Sequence, residues 1–305
     1  MDIRRILCPV DLSETSMHAL QHAASLSRQY HAALTVQHVY VPVFMPVPLL
    51  PPPAERASDE AIAHVRESVR SFIESSAAML DSGDSPEIVV DVGHPASVIL
   101  GRAGRMSADL IVLGTHGASG FERLLLGSTA EKVLRKASAP VLTVPPRVHA
   151  TSKLPFRRVL CGVDFSEWSQ AAAALAGSLA AESGAALILA HVIEWPWSES
   201  HNPSFSELST DQQNALAEYR RYVERTARVR LAGFVPSAIS ERIRLECLVT
   251  HGKPYVELLR VAAENDTDII VLGVHGRNPV DLALFGSTTT HIVRAATCPV
   301  LTLRN

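Results

Sequence analysis

The chain is 305 residues long, which suits two domains better than one. Apolar residues make up 47% and charged residues 19%, a composition that fills ordinary cores. The net charge is −3 and aromatics reach only 5%, which argues against a nucleic-acid binder, a polybasic membrane anchor or a stacking platform for single strands.

The first apolar run, Ile6–Val10, ends at Asp11. It is too short for the core of a signal peptide, and no run approaches the ~18 apolar residues of a spanning helix, so the expected location is the cytoplasm. Cys8, Cys161, Cys247 and Cys298 are widely spaced, as reduced thiols of a cytosolic protein would be. Pro9 breaks a local rule, because proline removes a ladder hydrogen bond from an interior strand. Ser13 is a plausible N-cap for a helix through Gln29. A strand at Leu34–Val39 and a long amphipathic helix at Ser58–Leu80 follow. Ile88–Val92 reads as a strand, and Pro95 suits the first turn of a helix through Ala103. Leu110–Leu113 is nearly all apolar, as a strand buried on both faces should be. Residues 114–127 read as loop, Ser128–Ala137 as helix and Val141–Val144 as a last strand.

The order then repeats, at 159–163, 170–182, 186–192, 208–232, 243–249, 254–264, 268–272, 287–296 and 300–303. Residues 4–14 (RRILCPVDLSE) align with 157–167 (RRVLCGVDFSE) at an offset of 153, and His38-Val39 aligns with His191-Val192. Gly93-His94-Pro95 aligns with Gly252-Lys253-Pro254 at an offset of 159, as does 139–144 with 298–303. This is a duplicated domain, with a proline-bearing polar joint at 145–152. Alternating strands and helices imply a parallel sheet. The expected architecture is α/β, with two doubly wound, Rossmann-like domains at 1–146 and 147–305. Each is expected to hold a five-stranded parallel sheet with helices on both faces.

One motif recurs in both halves. Gly114-Thr115-His116-Gly117 is followed by nine residues and then Gly127-Ser128; Gly273-Val274-His275-Gly276 is followed by nine residues and then Gly286-Ser287. The nine intervening residues differ between the halves while the glycine spacing is kept. Glycine lets backbone N–H groups approach an oxyanion closely. Gly127-Ser128-Thr129 and Gly286-Ser287-Thr288 open the next helix, where free N–H groups and hydroxyls favour an anion. Asp11 and Asp164 end the first strand of each half, beside the crevice where doubly wound sheets bind ligands. A carboxylate there can accept from a ribose hydroxyl or face a metal ion. The plainer alternative is a loop that only turns and caps a helix, with Asp11 as the cap of the helix after it.

This constellation resembles the universal stress protein family, as a tandem member, over nearly the whole chain. The resemblance implies ATP, with magnesium, as the ligand. In the first half it assigns Pro9, Asp11, Val39, Gly114, His116, Gly117, Gly127, Ser128 and Thr129 to the site. In the second half it assigns Asp164, Val192, Gly273, His275, Gly276, Gly286, Ser287 and Thr288. Asp11, Asp164, Val39 and Val192 would lie near adenine and ribose, and the glycines and serines at the phosphates. It also implies pairing through the last strand, so Val141–Val144 and Val300–Leu303 are candidates for an internal pseudo-dimer, with a homodimer as a further possibility. The halves depart from each other where Gly162 replaces Pro9 and where Pro279 stiffens the second loop. The expected role is a nucleotide-responsive regulator of stress and survival. A slow ATPase or phosphotransferase in the same clefts and a scaffold that binds no nucleotide are the alternatives. No Walker A, GxSxG or HExxH pattern is present, so any hydrolysis should be slow.

Other signals are weaker. His18 and His22 share a helix face at i, i+4, read as a solvated face rather than a metal site. The proline run in 41–53 suits a lid, a docking segment or a stiff loop. Trp195, Trp197 and Phe205 suit either a partner site or packing on their own domain.

Overall fold

The computed structural model describes residues 3–41, 59–75, 85–115, 126–146, 155–195, 209–274 and 286–304. The first repeat runs β1 (Arg5–Val10), α1 (Glu14–Tyr30), β2 (Ala33–Tyr40), α2 (Asp59–Ser75), β3 (Glu87–Val92), α3 (Pro95–Arg105), β4 (Leu110–Gly114), α4 (Ser128–Lys136) and β5 (Val141–Val144). The second runs β6 (Arg158–Gly162), α5 (Glu167–Ser183), β7 (Ala186–Ile193), α6 (Thr210–Ala232), α7 (Ser237–Ser240), β8 (Arg244–His251), α8 (Pro254–Glu264), β9 (Ile269–Gly273), α9 (Ser287–Ala295) and β10 (Val300–Leu303). The short α7 has no counterpart in the expected elements; it follows Pro236 in the stretch where the second repeat is longer.

The chain divides into two compact units, Pro155–Ala296, and Asp2–Leu154 with Thr297–Arg304. In the unit built on the first repeat, five parallel strands lie in the order β3-β2-β1-β4-β5, and β10 adds antiparallel to β5. In the other unit, parallel strands lie in the order β9-β6-β7-β8. The doubly wound α/β architecture therefore recurs as the sequence repeat does. Repeat and compact unit part company only at the last strand.

Central strands are buried on both faces, which is why they read as unbroken apolar runs. Ile6, Leu7, Cys8, Ile111 and Val112 are fully buried, as are Val159, Leu160, Cys161, Ile270 and Val271. Pro9 leaves a mark on the ladder. Pairing of β1 with β4 stops at Leu7, whereas pairing of β6 with β9 runs one position further, to Cys161. A residue without an N–H cannot extend the ladder, so the crevice beside Pro9 opens earlier.

The reading of His18 and His22 as a solvated face is overturned. Helix α1 packs on β1, β2, β4 and β5, and His18 and His22 are 7% and 0% exposed. His22 Nδ1 donates to the carbonyl of His18 at 3.0 Å. Burial holds the His22 imidazole below its ordinary pKa and so keeps it neutral. Among the described residues no group of three His, Cys, Asp or Glu is placed to hold a metal ion.

Candidate functional site

In each doubly wound sheet the strand order reverses at one place, between β1 and β4 and between β6 and β9. Loops leaving those strands run in opposite directions and open a crevice at their carboxyl ends. In the second repeat, Asp164, Val192, Gly273, Gly286, Ser287 and Thr288 all line one cavity of about 970 Å³ there. In the first repeat the equivalent residues hold the equivalent places. Pro9 lies in β1 opposite Gln37, Asp11 follows β1, Val39 lies near the end of β2, Gly114 ends β4, and Gly127-Ser128-Thr129 open α4. His116, Gly117, His275 and Gly276 lie outside the described residues, as do the proline run, Trp197 and Phe205.

The aspartates do not cap helices themselves; they set the residue that does. Asp11 Oδ1 accepts from the Ser13 N–H at 3.1 Å and from the Ser13 hydroxyl at 2.5 Å. Ser13 Oγ in turn accepts from the Ser16 N–H at 3.2 Å and caps α1. Asp164, Ser166 and Ser169 reproduce this at 3.0, 2.6 and 3.2 Å. The residue between Asp and Ser is left-handed in both copies, Leu12 at φ 64° and Phe165 at φ 65°. That conformation costs a non-glycine residue roughly 1–2 kcal/mol, and it turns the chain sharply at the crevice.

The glycine frame has two jobs. Gly114 and Gly273 permit close packing: a Cβ on Gly114 would lie 2.8 Å from Thr15 Cγ2, and one on Gly273 would lie 2.9 Å from the Trp168 backbone. The first turns of α1 and α5 press directly on those strand ends. Gly127 and Gly286 close the loop. The Gly127 N–H donates to Thr115 O at 2.8 Å, and the Gly286 N–H donates to Val274 O at 3.0 Å. Both then serve as N-caps without a side-chain cap bond, so the first turns of α4 and α9 keep their amides unclaimed by any capping side chain.

One pair of positioning residues emerges from the structure alone. His38 Nδ1 donates to Val10 O at 2.9 Å, and His191 Nδ1 donates to Val163 O at 2.7 Å. Each imidazole holds the backbone one residue before the aspartate. The signal in the sequence is a histidine at the same place in the second strand of both copies.

The second cleft is also aromatic and cationic. The Phe165 ring lies 4.4 Å from His191 and 5.6 Å from Phe234, and Arg230 of α6 sits over it at 4.0 Å. Trp195 packs within its own unit, stacked on His251 and edge-on to Tyr219.

Fold and cleft together define a doubly wound α/β protein that carries the same strand-end arrangement twice. The universal stress protein family model matches residues 2–145 and again 155–304. The chain belongs to the universal stress protein family, as a tandem member. A universal stress protein of Mycolicibacterium smegmatis is 28% identical over 307 aligned residues, covering 98% of this chain and 96% of that protein. One from Methanocaldococcus jannaschii is 34% identical over 142 residues, covering 46% of this chain and 81% of that protein. The crystal structure of a universal stress protein from Archaeoglobus fulgidus superposes with a TM-score of 0.67 at 22% identity, covering 100% of this chain and 99% of that one.

Proposed function

We propose that the protein binds ATP at the strand-end clefts of both repeats and acts as a nucleotide-responsive regulator of the stress response in the cytoplasm. The observation that carries this reading is the cavity of the second repeat, where Asp164 and the open first turn of α9 line one space. Its volume of about 970 Å³ suits a nucleotide. The residues present fit the ligand. Amides of Gly286, Ser287 and Thr288, at the positive end of α9, would receive phosphate oxygens. Asp164 would accept from ribose hydroxyls, with Val192 against the base. Asp11, Val39, Gly127, Ser128 and Thr129 would do the same in the first repeat, with Pro9 holding the crevice open. His116, Gly117, His275 and Gly276 complete the sequence motif. Magnesium would arrive with the triphosphate, since the described residues supply no metal cluster of their own. Bound ATP would supply a polyphosphate whose hydrolysis, lacking a Walker lysine, would be slow.

The test is direct. Purified protein is analysed for bound adenine nucleotide and titrated calorimetrically with ATP and magnesium. Asp164→Ala and Asp11→Ala should each weaken one class of site. A protein that carries no nucleotide and releases no heat with ATP is a scaffold, and the reading falls.

A further inference from the structure

The two clefts differ at the residue after the aspartate, which is Leu12 in one and Phe165 in the other. Both take the same left-handed backbone, so both side chains leave the turn in the same way. Only Phe165 offers a ring. His191 and Phe234 pack against that ring, and the Arg230 guanidinium lies over it at 4.0 Å. A flexible cation is thereby held at a defined place. Arg230 lines the cavity together with Asp164 and Ser287. Among the described residues no carboxylate pairs with it, and it packs on the face of the Phe165 ring.

The placement of this cation follows from the strand order β9-β6-β7. The α9 first turn follows β9, on one side of β6. His191 belongs to β7, on the other side; the Phe165 ring packs on it at a tilt, and Arg230 lies over Phe165. Asp164, at the end of β6, lies between. The guanidinium of Arg230, the Asp164 carboxylate and the first turn of α9 therefore all line one cavity.

We propose that Arg230 is a specificity-determining residue of the second cleft, which selects nucleotides carrying a second anionic group on the sugar. The inference rests on the nucleotide reading above. With a 5′-phosphate at the first turn of α9, a ribose hydroxyl on Asp164 and the base against Val192, a phosphate on the remaining sugar hydroxyl would meet Arg230, which lines the same cavity. The chemical class is a nucleoside bisphosphate. The first cleft, with Leu12, lacks the ring that would hold such a cation. A rival role for Arg230 exists, because it sits in the last turn of α6, where a cation favours the helix end.

The experiment titrates the full chain with 5′-AMP, adenosine 3′,5′-bisphosphate and ATP, as wild type, Arg230→Gln and Phe165→Leu. In the wild type, one site should bind the bisphosphate at least about tenfold more tightly than AMP. The ratio of the two affinities should fall to near one in Arg230→Gln and shrink in Phe165→Leu. Equal affinities in the wild type, or a preference that survives Arg230→Gln, overturn the inference. A lowered Tm in Arg230→Gln with the preference intact assigns the residue to the helix end, and also overturns it. If AMP and ATP bind but the bisphosphate binds no more tightly than AMP, this inference alone fails. If none of the three ligands binds, the nucleotide reading fails with it.

Discussion

Thr143 and Thr302 hydrogen-bond in opposite directions across the antiparallel pair of β5 and β10. The Thr143 hydroxyl donates to Val300 O at 3.1 Å, and the Thr302 hydroxyl donates to Val141 O at 3.3 Å. The two threonines are equivalent positions of the repeat, both are buried, and each donates to the carbonyl of the residue it is paired with in the ladder. The bonds share no atoms. Thr143→Val and Thr302→Val should therefore cost similar amounts, about 0.5–1.5 kcal/mol each, and close to additively. Urea denaturation of the two single variants and the double variant measures this; a cost confined to one threonine would contradict the symmetric arrangement.

The glycines that end β4 and β9 predict an asymmetry. Gly114→Ala would press on a methyl group of Thr15 at 2.8 Å, with the Thr15 backbone a little further off at 3.1 Å. Gly273→Ala would press on Trp168 backbone atoms at 2.9 Å, which cannot move aside without shifting α5. Both variants should lose stability by roughly 1–3 kcal/mol, the second more than the first. Thermal denaturation without ligand separates this packing effect from any loss of binding. Wild-type Tm in Gly273→Ala would mean that α5 can move away from the strand end.

Two kinds of group set the acid limb of stability. Asp91 accepts from Arg102 at 2.8 Å and from Gln37 at 2.8 Å. Burial raises its pKa, but these bonds outweigh burial and bring the carboxyl below the usual range. Glu257 is lowered first by its bond from Arg260. For both, the folded pKa lies below the unfolded value, so their stability is present above about pH 4 and lost as the pH falls further. His22 acts in another window. Its folded pKa is also depressed, by burial, so the unfolded chain takes up a proton first as the pH falls below about 6.5. Stability should thus decline first below neutrality and again below about pH 4. His22→Leu should flatten the first decline and Asp91→Asn the second, read from denaturant midpoints against pH.

The cysteines should be inert. Burial pushes up the thiols of Cys8 and Cys161, and the charge of Asp164 adds to the effect at Cys161. Cys247 is raised by burial and by Glu246, yet it is only half-buried. Iodoacetamide labelling of native protein at pH 8, followed by mass spectrometry, should therefore mark Cys247 first, and Cys8 and Cys161 only on unfolding. Prompt labelling of Cys8 would contradict the tight core around β1.

Much of this was legible before any coordinates. Apolar runs located the central strands because parallel strands buried on both faces carry little else. Ser13 marked its helix correctly, because a capping hydroxyl is a local signal. The equivalent Ser166 begins α5 at Glu167, three residues before the expected start at 170. The capping pair Ser209 and Gln212 likewise fixes the start of α6. What local patterns could not reveal were contacts made across the fold. The burial of His18 and His22 follows from four strands packing on α1. The packing role of Gly114 depends on Thr15, about a hundred positions earlier. Arg230 meets Phe165 only once α6 has been laid over the cleft.

The neck of each glycine frame has a broader consequence. A single hydrogen bond, Gly127 to Thr115 or Gly286 to Val274, brings the two ends of the intervening segment together. Chain length between the two ends carries a weak thermodynamic penalty, about 0.6 kcal/mol per doubling. Stability should therefore respond only weakly to the number of residues between the two ends. Duplication would then leave one copy free to change what it recognises while the other keeps its original text.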